Sequence, residues 1–223
     1  MLLHDSLGCV ELWRDFPLKL AERLKRDVIA YDRLGFGRSD PYPGVLPASF
    51  IGDEARGSFA ALREQLKLDR FIVFGHSVGG AMAAGCASEY PEACEAMITV
   101  AAQSFVEERT LAGIREAEAM FAQPGQMDRL TRYHGAKAQW VLRSWIDTWT
   151  SPQFRSWTLD AALRGVRCPT LALHGDRDEY GSVVHPKRIA ELTHGKAEVL
   201  KGCGHLPHRE QPDLVVEKVS AFL

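Results

Sequence analysis

A chain of 223 residues that is 46% hydrophobic and 25% charged has the length and composition of one globular domain with a single core. Its net charge of −2 excludes an electrostatic footprint for nucleic acid, and we see no lysine or arginine run that would supply one. No apolar run approaches the roughly 20 residues that span a bilayer and the start lacks a signal-peptide pattern, so we expect no membrane partner.

Short apolar runs predict buried strands, and they alternate with segments of helical spacing. The strands are predicted at residues 2–3, 28–31, 71–74, 97–100, 170–173 and 197–200. Apolar residues three to four apart predict helices between these strands and a last helix from about residue 212 to residue 223. Continuous apolar strands alternating with amphipathic helices indicate an α/β fold, with a mostly parallel sheet of about six strands and helices on both faces.

Residues 104–165 break this alternation. They show no strand pattern, only helical patterns that are interrupted at Pro124-Gly125 and at Ser151-Pro152. An insertion of about 60 residues after a strand is too long for an ordinary connection, so we predict a helical lid over a core formed by residues 1–103 and 166–223. Four of the five tryptophans lie in this insertion. They pack the lid onto the core, or one or two of them face a substrate pocket.

The predicted strand 71–74 runs directly into Gly75-His76-Ser77-Val78-Gly79, which is followed by a good helix former. This is a G-x-S-x-G pattern in a strand-turn-helix setting. A catalytic serine needs a sharp turn that projects its hydroxyl from the sheet edge, and small neighbours let the backbone close on itself. The pattern predicts Ser77 as a nucleophile at the start of a helix.

A serine hydroxyl needs a base, and eight histidines compete for that role. His205 lies in a loop directly after the last predicted strand, where the carboxyl ends of parallel strands gather. His174 ends a strand and His76 lies inside the serine turn, so we expect both to be structural, and His208 to lie at or before the last helix. The sequence therefore favours His205 as the base.

An acid should hold the imidazole in one tautomer and stabilise its charged form. Asp176, Asp178 and Glu179 follow the strand predicted at 170–173, and all three are candidates on the residues alone. The chain order of serine, acid and histidine is the order expected for a triad on this class of fold.

Four segments together resemble the α/β-hydrolase family, over nearly the whole chain. They are residues 31–39, the serine turn 75–79, Gly175-x-x-Asp178, and Gly204-His205-x-Pro207 with Glu210-x-Pro212. The last aspartate of the family's acid turn is normally catalytic, so the resemblance implies Asp178 rather than Asp176. It also implies that the 104–165 insertion is the family's helical lid.

The chain departs from the family at its oxyanion loop. Relatives have His-Gly after their third strand, followed by a residue whose amide helps to bind the oxyanion, whereas this chain has His4-Asp5-Ser6. By position Ser6 supplies one amide and Val78 supplies the other. Because a carboxylate opposes a developing negative charge, we expect Asp5 to point away or to pair with a cation.

A second departure is that the family's usual first two strands are missing before this point. Either they are absent, or the start of this sequence is internal to a longer protein. Without them the strand predicted at 28–31 becomes a sheet edge with no proline or lysine to protect it. We therefore expect a homodimer through that edge or extra N-terminal residues; water covering a short edge is the alternative.

The resemblance implies a serine hydrolase that acts on an ester, thioester or lactone of a small acyl substrate through an acyl-enzyme. Hydrolysis of a carbon–carbon bond next to a ketone, and ligand binding without catalysis, remain alternatives. We expect the substrate pocket to be lined by His76, Trp140, Trp145, Trp149, Phe154 and Tyr180.

No metal or organic cofactor is implied by this chemistry. The five cysteines are odd in number and show no CxxC spacing, so we expect buried thiols, with neither a disulfide framework nor a zinc site. This cysteine usage favours a reducing, cytoplasmic location.

Overall fold

The computed structural model describes residues 1–223, and its centre is one parallel β-sheet. The sheet has five strands that lie side by side in chain order. They are β1 (Leu2–Leu3), β2 (Phe71–His76), β3 (Cys94–Val100), β4 (Thr170–Gly175) and β5 (Lys196–Leu200). This architecture confirms the predicted α/β class and parallel sheet, with five strands in place of about six.

Eleven α-helices surround the sheet, with three short 3-10 helices at Val10–Trp13, Gly135–Lys137 and Pro152–Phe154. The α-helices are α1 (Phe16–Leu24), α2 (Phe50–Asp53), α3 (Ser58–Gln65), α4 (Val78–Glu89), α5 (Glu108–Phe121), α6 (Gln126–His134), α7 (Ala138–Thr150), α8 (Asp160–Gly165), α9 (Val184–Thr193), α10 (Pro207–Glu210) and α11 (Pro212–Phe222). None of them combines the length and apolarity that a membrane crossing requires.

Successive residues of the central strands feed two separate apolar cores because side chains alternate between the two faces of a sheet. Val73 and Met97 belong to a cluster of 33 buried residues beneath α4 and the 104–165 insertion. Their neighbours Phe74 and Ile98 belong to a cluster of 16 buried residues beneath α1 and α11. Both faces are therefore covered, as continuous apolar strands predict.

The strand predicted at residues 28–31 is wrong. This segment forms only one isolated bridge, between Leu2 and Ala30. The amide of Leu2 donates to the carbonyl of Ile29 at 2.8 Å. The only strand beside residues 28–31 is β1, which is two residues long. It therefore offers too few residues for a continuous ladder of hydrogen bonds.

Residues 104–165 contain helices α5 to α8, and their one β-contact is an isolated bridge between Phe105 and Thr158. All five cysteines are free and buried. Two of them, Cys94 and Cys168, have sulfur atoms 3.5 Å apart.

The centre of the sheet provides a test of the core. Leu171 on β4 is 0% exposed, so Leu171→Ala should lower the free energy of unfolding by about 2–5 kcal/mol. Val199→Ala on β5, where the side chain is 41% exposed, is the matched control and should cost far less. Urea denaturation followed by circular dichroism measures both values. Equal losses in the two variants would contradict the assigned core.

Candidate active site

Ser77 lies at a strained turn between β2 and α4. Its φ of 54° and ψ of −124° place it in a region that residues with a side chain rarely adopt. Two glycines make the turn possible: a Cβ on Gly75 would lie 2.0 Å from the carbonyl oxygen of Gly79, and one on Gly79 would lie 2.1 Å from that of Leu3. Neither position has room for a side chain. The G-x-S-x-G spacing is thus a steric requirement of this turn.

Ser77, His205 and Asp178 form one hydrogen-bonded chain. His205 Nε2 lies 3.0 Å from Ser77 Oγ, and His205 Nδ1 lies 2.9 Å from each Asp178 carboxylate oxygen. Asp176 does not contact the imidazole; its carboxylate accepts from the amide of Gly202 at 2.7 Å. The geometry is that of a nucleophile, a base and an acid that orients the base.

The charge of Asp178 controls the protonation of His205. Burial of His205 disfavours its charged form, but the Asp178 carboxylate outweighs this effect and raises the pKa of His205 above its ordinary value. Burial likewise opposes ionisation of Asp178, yet His205 and the amides of Tyr180 and Gly181 lower its pKa overall. The acid therefore stays ionised, while the imidazole is a stronger base than a free one.

Two more histidines lie against this chain of hydrogen bonds. His174 Nε2 lies 3.3 Å from Asp178 Oδ2, and His76 Nε2 lies 2.7 Å from the carbonyl oxygen of His205, to which it donates. Burial lowers the pKa of both, that of His76 to about 4, so both rings are neutral near pH 7. His76 thereby holds the loop that carries His205, while His174 lies against Asp178 and the carbonyl oxygen of Gly181.

The backbone amides of Ser6 and Val78, which are predicted to bind the oxyanion, have no hydrogen-bond acceptor within the protein. Ser6 donates no backbone hydrogen bond, and Val78 is the first residue of α4, where amides lack intrahelical acceptors. The loop is held by three hydrogen bonds to the carbonyl oxygen of Asp5, from Arg33 Nη2 at 2.9 Å, from His4 Nδ1 at 2.8 Å and from the amide of Gly8 at 3.2 Å.

The Asp5 carboxylate pairs with no lysine or arginine. Its nearest basic partner is His76 Nδ1 at 4.0 Å, and that ring is neutral near pH 7. A Cβ on Gly8 would lie 1.9 Å from Asp5 Oδ1, so the carboxylate folds back against its own loop. Of the two alternatives stated for Asp5, pairing with a cation is wrong.

A pocket of about 250 Å³ opens onto Ser77 and His205, and we call it the reaction pocket. Three of the predicted pocket residues line it, namely Trp145, Trp149 and Tyr180. Its other apolar walls come from α5, as at Ile114, and from loops of the core at Leu7 and Leu206. The reaction pocket therefore lies between the sheet edge and the insertion.

The other three predicted pocket residues do not line the reaction pocket. Trp140 precedes Trp145 by five residues, which turns it about 140° around α7, and it stacks on Tyr42 instead. Phe154 is fully buried and stacks on Trp157 at 5.2 Å. His76 is buried beneath His205, as its hydrogen bond to that residue's carbonyl requires.

Sequence reasoning missed Gln103 and Arg129, which also line the reaction pocket. Gln103 Oε1 lies 3.5 Å from Ser77 Oγ, farther than His205 Nε2 at 3.0 Å. Gln103 follows the carboxyl end of β3 by three residues, so the rule that sites form at strand ends could have found it. No sequence signal marks Arg129, because it comes to the pocket from α6 within the insertion.

The sequence of this chain is similar to those of a known family and of several known proteins. The profile of the family described as "Alpha/beta hydrolase family" matches residues 2–218. The 1-acylglycerol-3-phosphate O-acyltransferase ABHD5 of Rattus norvegicus is 34% identical over 113 residues, which are 50% of this chain and 31% of that protein. A proline iminopeptidase of Lactobacillus delbrueckii subsp. bulgaricus is 24% identical over 266 residues, covering 100% of this chain and 88% of the relative. The chain thus aligns with about a third of the length of ABHD5.

Solved structures resemble the fold over almost the whole chain. The esterase RhEst1 from Rhodococcus sp. ECU1013 has a TM-score of 0.70 at 23% identity, covering 99% of this chain and 88% of that one. The 2-hydroxy-6-oxo-6-phenylhexa-2,4-dienoate hydrolase from Rhodococcus sp. strain RHA1 has a TM-score of 0.76 at 20% identity, with the same coverage. At these identities the similarity concerns the fold alone.

The pKa of His205 is directly measurable. Because Asp178 raises it, the imidazole should titrate with a midpoint above 6.5 in NMR spectra of histidine-labelled protein. Asp178→Asn removes the carboxylate and leaves the effect of burial, so the midpoint should fall below the wild-type value. Asp176→Asn is the matched control and should leave the midpoint unchanged. An unchanged midpoint in Asp178→Asn would contradict the assigned acid.

Proposed function

The chain belongs to the alpha/beta hydrolase family, and we propose that within it this protein is a serine hydrolase of small carboxylic esters, thioesters or lactones. One observation carries the proposal: His205 Nε2 lies 3.0 Å from Ser77 Oγ while His205 Nδ1 lies 2.9 Å from Asp178. A hydroxyl that is hydrogen-bonded to an oriented, basic imidazole is an activated nucleophile.

In the first step the oxygen of Ser77 forms a bond to the acyl carbon, and its proton passes to His205 Nε2. The electron pair of the carbonyl double bond moves onto oxygen, and the amides of Ser6 and Val78 donate to this oxyanion. Asp178 stabilises the imidazolium that forms, through its two contacts of 2.9 Å. Return of the electron pair then expels the alcohol or thiol, which takes the proton from His205.

The second step releases the acyl group. Water attacks the acyl-enzyme and gives a proton to His205, and the resulting tetrahedral intermediate expels Ser77, which recovers that proton. Burial of His76 and His174 supports this cycle, because both rings stay neutral and leave His205 as the only imidazole there that changes charge near pH 7. The products are a carboxylic acid and the restored enzyme.

The reaction pocket favours a small acyl group. Its volume is about 250 Å³, and Trp145, Trp149 and Ile114 provide apolar surface beside Ser77. These walls suit a ring or a short chain rather than a long one. The insertion then acts as the lid of the site, since two of these walls belong to α7 and the third to α5.

The relatives support acyl chemistry at the level of their names. An acyltransferase, a peptidase and an esterase are among the proteins that this chain resembles, and each name describes a reaction at an acyl carbon. The identity of the substrate comes from the pocket and not from the fold.

Ester hydrolysis that depends on Ser77 tests the proposal. Ser77→Ala should lower kcat for p-nitrophenyl acetate or butyrate by about 10⁶-fold, the scale found when a triad serine is removed. Ser156→Ala, at an exposed serine of the insertion, is the matched control and should retain wild-type rates. The rate of p-nitrophenol release measures the activity of the wild-type protein and of both variants. Hydrolysis that persists in Ser77→Ala, or no hydrolysis of any ester or thioester by wild type, would contradict the proposal and favour ligand binding without catalysis.

A further inference from the structure

A second cavity lies beside the oxyanion loop, and the proposed reaction does not use it. We call it the back chamber; its volume is about 380 Å³. Its walls include Arg33, Phe36, Phe50, Glu54, Ala61 and Met82. It is therefore larger than the reaction pocket and mostly apolar, with a guanidinium in its wall.

A small cavity, which we call the neck, lies between the back chamber and the reaction pocket and shares lining residues with both. The neck has a volume of only about 10 Å³, and it shares Arg33, Phe36 and Leu46 with the back chamber. It shares Ser6 and Trp145 with the reaction pocket. The two cavities thus lie end to end on either side of the oxyanion loop.

Arg33 is a buried cation whose hydrogen bonds are incomplete. The residue is 3% exposed, and its guanidinium lies over the ring of Phe36 at 4.2 Å. Nη2 donates to the carbonyl oxygen of Asp5. Nε is buried without a partner and has no surface open to the chamber, whereas Nη1 forms no hydrogen bond within the protein and keeps some accessible surface. Arg33 forms no ion pair. A buried charge with free N–H groups is costly, and an anionic acceptor would satisfy both the charge and the donors.

Two carboxylates line the same chamber, but both already have donors. Glu54 accepts from the hydroxyl of Tyr31 at 2.6 Å, and burial raises the pKa of Glu54, which favours its neutral form. Asp53 accepts from the hydroxyl of Ser49 at 2.6 Å. Arg33 is therefore the charged group of the chamber that still has N–H donors without acceptors.

We propose that the back chamber binds the carboxylate of a short aliphatic acid, with the carboxylate on Arg33 and the tail against Phe36, Phe50 and Met82. The acid is either free in solution or the far end of an ester whose acyl carbon lies in the reaction pocket. Only the second source rests on the proposed function. A charge-assisted hydrogen bond from Nη1 to the carboxylate is the contact that the accessible N–H groups of Arg33 offer.

Binding is measured by calorimetry with the full chain carrying Ser77→Ala, so the result does not depend on catalysis. Hexanoate, hexan-1-ol and hexylamine each have a six-carbon chain and carry an anionic, a neutral and a cationic head group. Hexanoate should bind about tenfold or more tightly than hexan-1-ol, because its contact with Arg33 is charge-assisted. Equal binding of hexanoate and hexan-1-ol, or tighter binding of hexylamine, would overturn the proposal.

Chamber-filling variants locate the bound acid. Ala61→Phe should remove hexanoate binding by occupying the chamber, and Leu46→Trp does the same from a loop if the first variant does not fold. Ala221→Phe, at an exposed position near the end of α11, is the matched control and should bind hexanoate as before. If hexanoate binds equally to a folded chamber-filling variant and to the control, it lies in the reaction pocket. This result would also overturn the proposal.

The two sources of the acid are separated by ester kinetics with wild-type protein. Mono-p-nitrophenyl adipate and p-nitrophenyl hexanoate differ by a terminal carboxylate. A KM about tenfold lower for the adipate ester, lost in Ala61→Phe, identifies the far end of a substrate. Equal KM values together with hexanoate binding identify the free acid. If hexanoate does not bind and the two KM values are equal, the chamber has no carboxylate ligand and the proposal is refuted.

Discussion

The close packing of backbone around Ser77 is the constraint on which the rest of the site depends. The serine has a φ of 54°, and a Cβ on either flanking glycine would lie within about 2 Å of a carbonyl oxygen. For Gly79 that oxygen belongs to Leu3, the residue directly before the oxyanion loop, with the oxygen of His4 only 2.6 Å away. The contact that lets the turn close therefore also brings the loop against the nucleophile. One steric requirement fixes both halves of the site.

Asp178 and Arg33 lie on opposite sides of this turn, and each of these ionised side chains acts on a different group. On one side the Asp178 carboxylate is buried among His205, His174 and two amides, and burial keeps His174 neutral near pH 7. Its charge therefore acts chiefly on His205 and raises the pKa of that base. On the other side Arg33 donates to the carbonyl of Asp5 and lines a separate chamber. The oxyanion loop between them contains the amide of Ser6 proposed to bind the oxyanion and also the Asp5 carboxylate, which pairs with no lysine or arginine.

The sequence predicted β1 to β4 from their apolar runs, and β5 from a weaker pattern, because that edge strand is mostly exposed and carries Lys196 and Glu198. It failed at 28–31, where the run is apolar but β1 offers only two residues to pair with. The candidate nucleophile, base and acid were predictable because strand-end motifs carry their own local geometry. The aromatic wall was predictable only in part: Trp145 and Trp149 are four residues apart and share a face of α7, whereas Trp140 does not. Gln103 and Arg129 reach the pocket through tertiary packing alone, which no local pattern encodes.

Reaction of Ser77 with a fluorophosphonate tests most directly whether this serine is an activated nucleophile. Intact-protein and peptide mass spectrometry should find one adduct per chain, on Ser77, and none in Ser77→Ala. The rate of labelling should fall by orders of magnitude in His205→Ala, because His205 Nε2, 3.0 Å from the serine oxygen, is the group that accepts its proton. Labelling at an unchanged rate in His205→Ala, labelling at a different serine, or no labelling at all would contradict the account.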